Sequence, residues 1–457
     1  MKENMLMPVA AWLCAACLFG CGTKPPEVEV KPPAPALPES RECYEPMAGP
    51  NMLITSELGE SNGPVLAWAG ETFALAWWDL RGTSPAVYML RVDADGTRRS
   101  GEKRISGPDE ARDQDVAYDG EETHIVWNEG GRIMSLRLGP QGGEPVTLAA
   151  NGRFPAAGPW GAAAWAEQGG LYFRCDGVPA GTKPSLVSTG GIEDARIAWA
   201  GDEYAVVWSG SVKGGRDILL KHVTPKGRPF GKPVRISSPG EMSRRPQVVW
   251  TGESFALAWT IQLPDADTSK DKYRISFAVV PQKGAAPVFT RALEFTSAVD
   301  RIALAASGKD FGLAWVGTVE TKNGIFFARL DLSGNPIGRP IKVSDDTPQS
   351  CGRPSLAWGG DGYALAWSDD RQTTGSEVIF SYLTCGEAPP LPAAPAADAG
   401  PATEPSPAAD AGTGAAKAPV LKDVFEDKKG HKGKKDKAEP KAEPKPKNKA
   451  PAEAKKK

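Results

Sequence analysis

One stretch is written into this chain again and again, and that repetition limits the possible folds more than any other feature. Leu66-Ala67-Trp68-Ala69-Gly70-Glu71-Thr72-Phe73-Ala74-Leu75-Ala76-Trp77 returns as Ile197 to Trp208, as Val249 to Trp259 and as Leu356 to Trp367. Looser copies end at Trp127, Trp165 and Trp315. The seven closing tryptophans stand about 48 residues apart on average, a period that marks propellers and solenoids.

In each copy an apolar run meets a Gly-containing turn and is followed by a second alternating run, the pattern of a β-hairpin. A third run follows, such as Ala86 to Val92 or Ile325 to Leu330, and then a short fourth, such as Lys103 to Ser106 or Ile341 to Ser344. Four antiparallel strands per unit, repeated, predict an all-β fold, a seven-bladed β-propeller. A single blade cannot bury both faces, so the periodic Trp, Phe and Tyr must pack between neighbours. A six-bladed ring is the alternative, because the third copy, Ala162-Ala163-Ala164-Trp165, is the most divergent.

The ends of the repeat region argue for seven. The seventh unit stops after its third run, Glu377 to Leu383, and an orphan fourth-strand copy, Met52 to Ser56, precedes the first unit. That N-terminal run is expected to pair with the third strand of the seventh unit and close the ring. The propeller then spans residues 51–386.

Residues 1–20 read as an export signal with an apolar core too short to span a bilayer comfortably. Leu18-Phe19-Gly20-Cys21 resembles the lipobox of bacterial lipoproteins, which implies lipidation at Cys21; Gly22 in place of Asp implies the outer membrane. A plain secretory signal or an anchor helix is the other reading. Residues 21–50 form a Pro-rich tether. Of the seven Cys, Cys14 and Cys17 leave with the signal, and Cys43, Cys175, Cys351 and Cys385 remain with the propeller in an oxidising compartment. Ring closure brings Cys43 and Cys385 to the same end, so a disulfide between them is expected. Cys175 and Cys351 fall in distant units and should stay thiols.

Residues 387–421 are a Pro/Ala linker, and residues 422–457 form a tail expected to be disordered. The tail carries 14 Lys against 7 acidic residues, a net +7, so the rest of the chain is net −9. Either the tail is simply solvated or it attaches to anionic envelope polymers. No aromatic residue interleaves its Lys run, which argues against specific nucleic-acid recognition.

Catalytic chemistry is sparse. Only His124, His222 and His431 exist, in different units or in the tail, too few for a His-based metal site or a Ser-His-Asp triad. Gly59-Glu60-Ser61-Asn62-Gly63 spells a nucleophile elbow but sits before a strand, not in a strand-to-helix turn. Asp265 to Asp271 begins like a calcium loop, yet Lys270 stands where such a loop needs Gly. No cofactor and no metal are expected. One constellation stands out at the first-strand starts: Asp115, Arg153, Arg196, Arg245, Arg301 and Arg353. Asp79 and Arg81, with Asp369 and Arg371, stand at second-strand ends on the same face. Arg196, Arg245, Arg301, Arg353, Asp79 and Asp369 are the candidate ligand-binding residues. They form either an inter-blade Arg–Asp network or a funnel for an anionic group.

The Trp-Gly-aromatic-Trp repeat, with Asp and Arg after the closing Trp in two units, resembles bacterial secreted seven-bladed propellers over about 335 of the 457 residues. With Cys21 it resembles a propeller lipoprotein of the cell envelope. The Ser-x-Asp-x-Gly-x-x-Trp box of sialidase-type propellers is absent. The resemblance implies a lipid-anchored, non-enzymatic scaffold that binds a protein or polysaccharide. The alternative is a glycan hydrolase or lyase, with Asp115, Asp300 or Asp369 as acid and base.

Overall fold

A computed structural model describes residues 45–55, 59–179, 181–263, 272–283, 286–293, 298–319, 322–345, 351–372 and 375–385. The chain divides into two units, Met1–Pro390 and Leu391–Lys457, and every described residue belongs to the first. The lipobox, residues 21–44 of the tether with Cys43, the calcium-like loop, the linker and the tail lie outside the described residues, whereas Pro46–Ala48, expected in the tether, is a paired strand of the propeller, which therefore begins before residue 51. All regular structure among the described residues is β.

The strands form six hydrogen-bonded sheets, five of which are single blades. The sixth has eight strands and divides into two four-stranded units joined by one parallel residue pair, Arg216 with Met242. Seven blades result. The third is as complete as the others, with strands Arg153–Gly158, Ala162–Glu167, Gly170–Arg174 and Ser185–Thr189. Each first strand touches the next, and the seventh touches the first, so the ring is closed.

Seven hydrophobic clusters occupy the seven spaces between neighbouring blades. Every closing tryptophan is at most 1% exposed. The second strands are buried on both faces, which is why they read as unbroken apolar runs such as Phe255-Ala256-Leu257-Ala258-Trp259. The short apolar steps between the tryptophans leave room for the bulky rings of the adjacent blade.

The N-terminal run closes the ring as expected. Met52 pairs with Phe380 and Leu53 with Ile379, and the Ile54 amide donates to the Val378 carbonyl at 2.8 Å. Pro46–Ala48 adds three more antiparallel pairs, ending with Pro46 opposite Cys385. Cys175, buried in the third blade, donates its S–H to the Pro225 carbonyl at 3.3 Å.

A repeated irregularity shapes the inner edge of the ring. In blades one to six the first strand slips register just before its main hairpin pairing begins. In the seventh, pairing is interrupted between Cys351 and Ser355. Five of these bulges hold a left-handed residue at the same place: Gly63, Asp113, Phe154, Asp194 and Arg245, with φ between 52° and 61°. Only Gly takes that conformation without cost. Bulges of this kind bend the strand and re-aim side chains.

Candidate functional site

The bulges create the site. Counting from the hairpin pairing, Arg245, Arg301 and Arg353 occupy the bulge position, as do Asp113 and Asp194. Arg196 and Asp115 lie two residues further on, at the first regular pair, and Arg153 lies one residue before the bulge. The six residues that sequence spacing placed at equivalent first-strand starts are thus not equivalent. The bulge is the reason, because its extra residues shift the count without changing the apolar pattern.

Four of them nevertheless converge. Arg196, Arg245, Arg301 and Arg353, from blades four to seven, line one cavity of about 230 Å³ together with Asp194, Gln247 and Ile302. Arg196 donates to the Ala195 carbonyl at 2.7 Å. The Arg245 guanidinium lies 5.8 Å from the centre of the Tyr273 ring. Arg353 makes no hydrogen bond or ion pair among the described residues. Four guanidinium groups line this void, and a guanidinium is a planar fork of donors whose geometry matches carboxylate, sulfate or phosphate.

Carboxylates stand on the other side of the same mouth. Desolvation raises the Asp113 carboxyl above its ordinary value; Arg112 and Arg196 oppose this, and Asp194 adds to it. Burial likewise raises Asp115, against the pull of Arg196 and of the Ala157 amide, which donates to it at 3.1 Å. The mouth is therefore cationic toward blades five to seven and acidic toward blade two.

Asp79 and Asp369 are not part of that lining. Their carboxylates are buried inside their own blades, and each accepts the indole N–H of the tryptophan two residues before it, at 3.3 Å. Trp127 with Glu129 and Trp165 with Glu167 repeat the arrangement at 2.8 and 3.2 Å. Asp79 also accepts from the Ser61 hydroxyl at 2.7 Å and from the Arg81 fork at 2.8 and 2.9 Å. Burial acts to raise the Asp79 carboxyl, but Arg81, Ser61 and Trp77 outweigh it and hold it below its ordinary value. The sequence signal for this structural role was present as Trp-x-Asp or Trp-x-Glu in four copies. Asp79→Ala should cost about 2–3 kcal/mol in chemical denaturation, since it strands the indole, the hydroxyl and the guanidinium together. Anion binding should be unchanged, because Asp79 does not face the cavity.

The remaining candidates are structural. His124 is fully buried; its Nδ1–H donates to the Gly158 carbonyl at 2.9 Å and its Nε2 accepts from the Ser135 hydroxyl at 2.9 Å. Burial pushes this imidazole below its ordinary pKa, so it is neutral. His222 contacts Glu203 at 3.2 Å. Ser61 lies within a strand and donates to Asp79, which leaves no nucleophile elbow there. The Asp300 and Arg371 side chains lie outside the described residues.

No family model matches the chain, and no curated protein is similar to it in sequence. Solved structures are similar in outline. A protein of unknown function from Dyadobacter fermentans is 11% identical, with a TM-score of 0.49 over 75% of this chain and 99% of its own. The subtype N11 neuraminidase-like protein of a flat-faced bat isolate (H18N11) is 10% identical, with a TM-score of 0.46 over 79% of this chain and 99% of its own. The endosialidase of phage phi92 is 9% identical, with a TM-score of 0.47 over 76% and 70%. The assignment of the fold rests on the strand topology and the seven inter-blade cores.

Proposed function

We propose that this chain is a non-enzymatic lipoprotein of the cell envelope, anchored through Cys21 in the outer membrane, whose propeller holds a protein or polysaccharide by an anionic group. The convergence of Arg196, Arg245, Arg301 and Arg353 on one cavity carries this reading. The basic tail adds a weaker attachment to anionic envelope polymers, and a Cys43–Cys385 disulfide secures the ring closure.

Calorimetric titration with sulfate, which stays ionised across the working range, tests the site. Asp113 and Asp115 have raised pKa values, so they take up protons as pH falls through those values. Protonation removes negative charge from the mouth. Sulfate should therefore bind more tightly as pH falls through the titration of these carboxyls. Affinity that is independent of pH, or absent at every pH, counts against the site. Cys21→Ser should release the protein from the membrane fraction; retention there would remove the lipid anchor.

The alternative, a glycan hydrolase or lyase, draws on the same raised carboxyls, which suit a general acid. Turnover of a bound acidic glycan that is lost in Asp113→Asn or Asp115→Asn would establish it.

A further inference from the structure

The rim of the ring is uneven, and the low side adjoins the arginine cavity. The hairpins between second and third strands end two residues beyond the closing tryptophan in blades two and three, at Glu129 with Arg132 and Glu167 with Gly170. In blades four to seven they run four or five residues beyond it, to Val212, Leu263, Val319 and Gln372. At about 3.3 Å per residue, the hairpins of blades two and three end some 7 Å lower than those of blades four to seven. A groove of about 530 Å³ lies over the third blade as a result.

The groove and the arginine cavity are contiguous along one strand, Ile192–Trp199. Ile192 and Glu193 line the groove, while Asp194 and Arg196 line the cavity. Six glycines contribute to the groove, so few side chains project into it, and the Gly152 and Gly190 amides and the Gly131, Gly152, Gly169 and Gly191 carbonyls are hydrogen-bonded within the fold. Phe154, held in the left-handed region at φ 55°, supplies a half-buried aromatic ring. The exposed side-chain amides of Asn151 and Gln168 make no hydrogen bond among the described residues.

We infer that this groove is a second binding subsite, and that the ligand is an extended carboxylated polysaccharide running from the groove into the arginine mouth. The side-chain amides of Asn151 and Gln168 and one aromatic face suit the hydroxyls and flat faces of sugar rings, while the guanidinium cluster takes a carboxylate. A folded protein partner would need buried aromatic and aliphatic anchors, and glycine backbone offers few pockets for them. The low rim gives a long chain lateral access, which a single anion does not need. The inference rests on the anion-binding reading above and adds to it the length and class of the ligand.

Galacturonate chains of one to six units, titrated calorimetrically into the full-length protein, test it. Cellohexaose and hexaglutamate serve as the neutral and peptide controls. The six-unit chain should bind at least about tenfold more tightly than the single unit, because only the longer chain reaches the groove. Asn151→Trp, which fills the groove, should collapse that ratio toward one, with thermal melting to verify the fold. Gln168→Ala, a smaller change, should lower the ratio in part. Equal affinities for short and long chains would overturn the second subsite while leaving the anion site standing. Hexaglutamate binding as tightly as the six-unit uronate would overturn the polysaccharide. Binding of neither the single uronate nor sulfate would overturn the anion site itself.

Discussion

Replacing Arg196 and Arg353 together by glutamine should reduce the affinity of the propeller for sulfate or galacturonate by about 100-fold. Each guanidinium contributes hydrogen bonds to a charged acceptor, and losing such a bond costs about 1.5–3 kcal/mol, or tenfold and more in affinity. Among the described residues Arg353 has no hydrogen-bonded partner and Arg196 donates only to the carbonyl of the residue before it, so the change in stability should be small and come from the charge that Arg196 sets against Asp113 and Asp115. Calorimetry and thermal melting on the same samples separate the two effects. Lysine at both positions should give an intermediate loss, since it keeps the charge but not the planar fork. Glutamine variants that bind like the parent would show that the anion site is elsewhere.

The fold was legible in the sequence because the tryptophan repeat reports a core that recurs between blades. Trp165 is as buried as Trp77, although the alanines around it disguise the third copy. The closing strand was legible for a related reason: an orphan Met52-Leu53-Ile54 needs a partner, and the seventh blade lacked a fourth strand. The arginine cluster was legible only in part. Blade order brought the four residues to one mouth, but the bulge before Arg196 hid the fact that Asp194, not Arg196, is the counterpart of Arg245. Asp113 was missed for the same reason.

Charge after a repeated tryptophan suggests ligands at Asp79 and Asp369 until the indole N–H is counted as a donor that needs them. Burial of a polar ring demands an acceptor, and the residue two positions on supplies it in four blades. The groove over blade three was also written in the chain. Gly130-Gly131 and Gln168-Gly169 fall closer to their tryptophans than Lys213-Gly214 does to Trp208. Hairpin length is a quantity that apolar periodicity does not register.

Breaking the ring closure should have the largest effect on stability. Ile54 is 1% exposed in the apolar cluster between blades seven and one, so Ile54→Asp places a carboxylate in that core. A loss of about 4 kcal/mol follows from the lost burial and the uncompensated charge. Deleting residues 45–55 should go further, because it bares the edge of Gly375–Cys385, and an unpaired edge invites association between copies. Loss of the cooperative melt together with concentration-dependent aggregation is the expected result; a variant that melts like the parent would refute the closure. Glu377 gives the closure a pH signature. Thr55 donates to this carboxyl, yet burial, with Asp79 and Glu102 adding to it, raises its pKa above the ordinary value. A raised folded pKa means that the ionised form weakens the fold, by an amount that grows as pH rises through that pKa and vanishes below the unfolded value. Glu377→Gln keeps an acceptor for Thr55 and carries no charge. It should therefore stabilise the ring at neutral pH and make no difference below about pH 4, the usual range of an unfolded glutamate. Urea denaturation at both pH values measures this, and a stabilisation that persisted in acid would assign the effect to packing instead of charge.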